Sequence, residues 1–337
     1  GGDAFRDLLR VVLVAGDLFE LERVTPDTFE FLKRQFESLE GIRVFLAPGN
    51  HDPCAPGSPY REEGWPPNVH IFDAEDFRSV ALADLGVRIT GFGFTRNRMD
   101  ARHFRTLPVL PADLCNIVVS HGSDLTRVPA GKSMHGPFTI DDIAGKNVRY
   151  CALGHYHRQH RIADAPDGTE AWYPGIPEGR GWDEEGVCGY LFVEIDDGGV
   201  RVESRPCSRY DLGTVTIRCD AFSTREQIVD AVLELRGTLL TPDAILRVRL
   251  EGALDPRLDL SIAELEERLA GEALYISWEN RTHPALDFES IAREKTLRGR
   301  FVRVLNERIA EAAEADRGAL ERARLYGVEA LGGREVR

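Results

Sequence analysis

Ile42-Arg43-Val44-Phe45-Leu46-Ala47-Pro48-Gly49-Asn50-His51-Asp52 is an apolar run that stops in a turn crowded with polar side chains. The run does not alternate, which suits a strand covered on both faces. Three other stretches share this design. Residues 11–15 end at Gly16-Asp17, residues 117–120 at His121-Gly122, and residues 150–153 at Gly154-His155-Tyr156-His157. Between the first two runs, Phe29, Leu32, Phe36 and Leu39 recur at helical spacing, which predicts a helix over 26–39. Residues 87–94, 189–195 and 200–204 read as further strands. Strands alternating with a helix, then more strands, predict a layered α/β domain over residues 1–210.

From Leu212 the pattern changes. Strands are expected at 214–218, 245–250 and 274–278, with helices at 223–235 and 261–269 between them. Ser223 with Glu226 three residues on reads as a capping box. This βαβαβ-like unit makes residues 211–280 a small α+β domain. Residues 281–337 form a C-terminal segment, helical and heavily charged from Phe288. Its apolar stripe, Ile291, Leu297, Phe301, Leu305 and Ile309, is narrow. Such a stripe docks on a neighbouring helix rather than building a core.

The 337 residues carry 42 basic and 56 acidic side chains, for a net charge of −14. That excludes a protein coated in basic patches for nucleic acid. It does not exclude a nuclease, because bound cations supply positive charge where a phosphate sits. No apolar run approaches the roughly 18 residues that span a bilayer, and a cytoplasmic protein is expected. The six cysteines form no CxxC pair and read as buried free thiols.

Chemistry concentrates where the four apolar runs end. In an open α/β sheet, ligands bind at the carboxyl ends of strands. Asp17, Asn50, His121, His155 and His157 all sit at such ends. One carboxylate, one amide and three imidazoles suit Mn²⁺, Fe²⁺ or Zn²⁺. His135, in a Gly/Ser loop, reads as solvent-exposed, with a substrate contact as the alternative. His70, His103, His160 and His283 read as structural. Arg180 either contacts phosphate or pairs with Asp183 or Glu184. Arg293, Lys295, Arg298, Arg300 and Arg303 read as a solvated face.

Gly16-Asp17, Gly49-Asn50-His51-Asp52, His121-Gly122 and Gly154-His155-Tyr156-His157 resemble, in order, motifs two to five of the calcineurin-like metallophosphoesterases. The narrower likeness is to the SbcD-type DNA double-strand-break-repair exonucleases, particularly their YhaO-like branch. It rests on Gly16-Asp17-Leu18-Phe19, on Ser58-Pro59-Tyr60 through Trp65-Pro66-Pro67-Asn68-Val69-His70, and on Tyr173-Pro174-Gly175-Ile176-Pro177-Glu178-Gly179-Arg180. The resemblance implies a layered metallophosphoesterase β-sandwich flanked by helices, a DNA-capping domain at 211–280, and C-terminal helices that dock a partner.

It also implies site roles. Asp17 would bridge two Mn²⁺ ions about 3.5–4 Å apart. Asn50, His121 and His155 would complete one metal site, and His157 would belong to the other. His51 would protonate or stabilise the leaving oxygen, with Asp52 orienting its ring. DNA, an SMC-like (SbcC-type) ATPase subunit and a second copy of the chain are the implied partners. The alternatives are a small-molecule phosphodiesterase or phosphatase and a non-catalytic DNA-end-binding subunit. One departure stands out. The family's first motif, Asp-x-His on the first strand, does not precede Ala4, and Asp3 has no histidine two residues on. A helix-like stretch, residues 4–9, also runs into the first strand without the usual connection of roughly 2–6 residues. The expected explanation is that the real N-terminus is absent from this sequence, which fits the missing connection near Arg10; a truncated, single-metal and inactive protein is the other reading.

Overall fold

The computed structural model describes residues 9–128, 133–162, 165–186, 188–255, 258 and 260–332. Residues 4–8 of the expected opening helix, and Asp3, lie outside them. The chain divides into two units, Gly1–Tyr210 and Asp211–Arg337.

The first unit stacks two sheets. β1 (Val11–Val14), β2 (Arg43–Leu46) and β3 (Val69–Ile71) form a parallel sheet in that order. The second sheet has six strands. They are β4 (Arg78–Leu82), β5 (Val87–Gly91), β6 (Cys115–His121), β7 (Tyr150–Gly154), β8 (His160–Arg161) and β9 (Glu170–Tyr173), ordered β4-β5-β6-β7-β9-β8. β10 (Gly189–Asp196) and β11 (Gly199–Pro206) pair as an antiparallel ribbon. This is the expected layered α/β sandwich, consistent with a metallophosphoesterase fold.

Alternation along each strand assigns the layers. On β2, Phe45 faces inward with Phe72, Ile89, Ile117 and Val119, while Val44 and Leu46 face outward with Phe36 and Tyr60. Phe36 belongs to α1 (Pro26–Glu37), the helix that covers the outer face. α1 starts as its sequence requires, with Thr25 as N-cap, its side chain accepting from the Thr28 N–H, and a proline at the first turn. On β6, Ile117 and Val119 face the inter-sheet core and Val118 faces a second core with Phe92, Phe94, Phe104 and Phe138. Both faces of β6 are therefore covered, which explains its unbroken apolar run. The outer face of the six-stranded sheet is covered by loops and 3₁₀ turns, among them His103–Thr106 and Ile140–Asp142.

The second unit is built on three parallel strands. β12 (Asp211–Arg218), β13 (Ala244–Leu254) and β14 (Tyr275–Pro284) pair in that order. They are linked by α2 (Arg225–Leu233) and α3 (Ile262–Arg268), as the βαβαβ reading expects. The core gathers Ile228, Val229 and Val232 of α2 and Leu265 of α3 against Leu246, Val248 and Leu250. The helix cap moves by one residue from the expected Ser223. Thr224 is the N-cap, and its box closes with Gln227 rather than Glu226. β14 runs through residue 280, where the domain boundary was drawn, and ends at Pro284.

The C-terminal segment forms helices, as expected, and among the described residues they are α4 (Phe288–Arg293), α5 (Leu297–Glu311) and α6 (Glu314–Leu331). Ile291, Val302 and Val328 pack together with Phe301 beside them, so the helices do share a small core. The expected stripe is displaced because a new helix starts at the Thr296 N-cap. Val302 and Leu305 are buried, while Leu297 is 71% exposed. Among the described residues, no helix is long and apolar enough to cross a membrane.

Candidate metal centre

Parallel pairing brings the four polar turns together. Val14 lies opposite Leu46 in one sheet, and His121 lies opposite Gly154 in the other. The turns after β1 and β2 therefore share one edge, as do the end of β6 and the turn after β7. The two edges meet where glycines allow it. A Cβ on Gly154 would fall on the Ala15 carbonyl, and one on Gly16 would strike His121 Nδ1 and the Gly49 backbone. Each motif thus needs its glycine for close backbone approach. Asp17 (φ 55°) and His155 (φ 114°) adopt positive φ, which costs a non-glycine residue roughly 1–3 kcal/mol. Of the three described non-glycine residues at positive φ, two, Asp17 and His155, bring their side chains together here and the third, Asn147, does not.

His121 is fully buried. Its Nδ1 sits 2.8 Å from the Ala15 carbonyl, which assigns the proton to Nδ1 and leaves Nε2 for the site. Nε2 lies 3.0 Å from Asn50 Oδ1 and 3.3 Å from Asp17 Oδ2. His155 Nδ1 lies 3.2 Å from the same Asn50 oxygen. Asp17, His121 and His155 each offer one atom, and the three atoms fall within 4.8 Å of one another. The structure therefore brings Asp17, Asn50, His121 and His155 to one point.

The electrostatics fit a cation there. Burial pushes the Asp17 carboxyl up, but the His121 charge and hydrogen bonds from His121 and the His51 N–H outweigh it and hold it well below the usual carboxylate range. Burial disfavours a charged His121, yet the Asp17 carboxylate raises its pKa on balance. Burial, then the His121 charge, lowers His155 to about 3, so its ring stays neutral. One ionised carboxylate, one amide oxygen and one neutral imidazole thus converge beside His121, whose pKa the Asp17 carboxylate raises. A divalent ion satisfies the same donors with its own charge, and this mixed oxygen and nitrogen set suits Mn²⁺, Fe²⁺ or Zn²⁺.

His51 lies beside this point. Its backbone N–H donates to Asp17 Oδ1 at 2.9 Å, and its half-exposed ring reaches outward, Nδ1 bonded to Glu20 Oε2 at 2.7 Å. The ring-orienting role expected of Asp52 belongs to Glu20 instead. Asp52 is completely buried and faces the other way. Its carboxylate accepts from the backbone N–H groups of Asp17 (2.9 Å), Leu18 (2.8 Å) and Gly49 (2.6 Å), and from the Tyr60 hydroxyl (2.6 Å). It ties the turn after β1 to the turn after β2. Burial raises its pKa, against the opposing Tyr60 hydrogen bond.

His157 stands apart from the four. Its Nδ1 bonds Glu184 Oε1 at 2.5 Å, which leaves Nε2 as the free nitrogen. Glu184 also accepts the Arg180 N–H at 2.8 Å. The Arg180 guanidinium lies 3.7 Å from both Glu20 and Glu184, linking the acids that hold His51 and His157. Residue types alone did not single out Glu20 as a partner of His51. The available signal was an acid one helical-turn length after Asp17, in Gly16-Asp17-Leu18-Phe19-Glu20.

Residues 5–159 match the family model described as calcineurin-like phosphoesterase. That stretch of the chain is similar to the calcineurin-like phosphoesterases. It is also similar to a Bacillus subtilis (strain 168) protein named uncharacterized metallophosphoesterase YhaO, 32% identical over 208 residues. That match takes in 59% of this chain and 49% of the relative, so the chain spans about half the length of the curated relative it matches. That family uses divalent metals, and Asp17, Asn50, His121 and His155 are the donors that this chain brings together. Metal-dependent hydrolysis of phosphoesters is the chemistry the family implies.

Proposed function

We propose that the chain is a Mn²⁺-dependent phosphodiesterase acting on DNA, a repair exonuclease or endonuclease. The observation that carries the reading is the convergence of Asp17, Asn50, His121 and His155 on one point with the Glu20-held His51 beside it. A bound divalent ion supplies charge that polarises the phosphoryl group and lowers the pKa of a water for attack. The chain's own residues do the rest. Asp17, Asn50, His121 and His155 would hold the ion, and His157, backed by Glu184, would serve a second one. Glu20 accepts from His51 Nδ1 and orients the ring, so that the protonated ring can give its Nε2 proton to the leaving oxygen. Asp52 keeps the two turns in register.

DNA as substrate is supported by the additional unit, residues 211–332, which a small phosphoester does not require. An SMC-like ATPase or a second copy of the chain is the proposed partner of α4–α6. The deciding experiment is cleavage of linear duplex and single-stranded DNA in Mn²⁺, Mg²⁺ and EDTA. Mn²⁺-dependent cleavage that EDTA abolishes is expected. Hydrolysis of bis(p-nitrophenyl) phosphate without DNA cleavage would move the activity to small esters.

A further inference from the structure

Most histidines outside the metal point have an evident structural place. His70 packs against Phe45 and Phe72, His103 against Phe92, and His160 bonds the Arg158 carbonyl and stacks on Tyr173. His135 differs. Its backbone is pinned on both sides of the ring. The Ser123 N–H donates to the His135 carbonyl at 2.8 Å, and the His135 N–H donates to Ser123 Oγ at 3.0 Å. The next residue, Gly136, donates to the Met99 carbonyl at 2.6 Å. Gly136 has φ 51°, and a Cβ there would press on the Phe94 ring and the His121 carbonyl. This loop is therefore fixed directly against the end of β6, which carries His121.

The fixed backbone holds the His135 ring 5.5 Å from the His155 ring, centroid to centroid, and His155 is itself 5.2 Å from His121. His135 is not one of the converging donors. Its Nδ1 is buried without a hydrogen bond. The ring as a whole is only partly buried, which leaves Nε2 as the nitrogen open to a ligand. An imidazole on a fixed backbone, without a hydrogen bond of its own and beside a metal point, is placed to meet a group that arrives with the substrate.

We propose that His135 is a substrate-contacting residue that donates from Nε2 to a non-bridging phosphate oxygen of the bound phosphoester. This deepens the phosphodiesterase reading and rests on it for the identity of the anion. A charge-assisted hydrogen bond of this kind is stronger than a neutral one and acts on the phosphate rather than on the metal.

The test uses the full chain loaded with Mn²⁺, with inorganic phosphate as the probe. Phosphate affinity by calorimetry and metal content by ICP are measured for the wild type, His135→Ala and His135→Gln. His135→Ala is expected to weaken phosphate binding about tenfold at unchanged metal content. His135→Gln, whose amide Nε2 sits near the lost donor, is expected to restore part of it. Phosphate affinity within twofold of wild type, loss of metal from His135→Ala, or no phosphate binding by the loaded wild type would each overturn the proposal. Phosphate binding that depends on His135 in a protein that hydrolyses no phosphoester would sink the phosphodiesterase reading and leave the anion contact standing. Normal hydrolysis with unchanged phosphate affinity in His135→Ala would do the reverse.

Discussion

Two acids near His51 illustrate the difference between neighbours in sequence and neighbours in space. Asp52 follows His51 directly, yet its carboxylate is buried against three backbone N–H groups and Tyr60. Glu20 lies 31 positions away in sequence and holds the ring. In a turn, adjacent side chains diverge, so spacing revealed which turns matter but not which acid faces which base. The two substitutions should separate cleanly. Asp52→Asn replaces an acceptor-only carboxylate with an amide whose NH₂ faces backbone donors. Hydrogen bonds to charged groups contribute about 1.5–3 kcal/mol each, so a stability loss of at least ~2 kcal/mol is expected, read as a lower denaturant midpoint. Glu20→Gln leaves stability within about 0.5 kcal/mol, since the acid is partly exposed. It should lower kcat roughly tenfold to a hundredfold with metal content unchanged. A large stability loss in Glu20→Gln would show that the acid is structural.

At the scale of elements, what could be read from sequence followed from burial. β2, β6 and β7 are covered on both faces and appear as unbroken apolar runs. β3 and β8 are too short to leave a pattern, and β4 is mostly exposed at Arg78, Ser79 and Ala81. The α2 cap was ambiguous for a different reason. Ser223-x-x-Glu226 and Thr224-x-x-Gln227 are overlapping boxes, and the register that buries Ile228, Val229 and Val232 selects the second. The positions that shape the site are glycines, whose role appears only once two strand ends meet. Gly154→Ala puts a methyl group onto the Ala15 carbonyl, a backbone atom that cannot swing aside. Overpacking of this kind costs typically 1–3 kcal/mol and pushes β1 away from β7. Gly145→Ala, a control, has open space around it but also a positive φ of 72°. Both variants should lose stability, but only Gly154→Ala should also lose Mn²⁺, measured by ICP after gel filtration. Retention of full metal content by Gly154→Ala would mean that the edges tolerate separation.

Across the whole molecule, each unit has cores of its own. Phe45, Ile89 and Val119 anchor one in the first unit, and Leu246, Val248 and Leu250 anchor one in the second. The metal point belongs entirely to the first. A ligand that binds only the folded form stabilises by RT ln(1 + [L]/Kd), about 2.7 kcal/mol at a hundredfold excess over Kd. Calorimetric unfolding should therefore give two transitions, of which only one rises with Mn²⁺. Proton linkage sets the pH dependence of that rise. The Asp17 carboxylate raises the His121 pKa, so without a cation this pair contributes stability below the ordinary histidine range. That contribution is lost as pH rises through the raised value. Mn²⁺ must displace the same proton, so its apparent affinity falls about tenfold per pH unit below the His121 pKa and levels off above it. The Mn²⁺-induced shift in Tm should grow as pH rises from about 6 to 8, and Asp17→Asn should flatten that growth by removing both the ligand and the charge that raises His121. A shift that is independent of pH over this range would place the ion away from His121, and a shift shared equally by both transitions would place it outside the first unit.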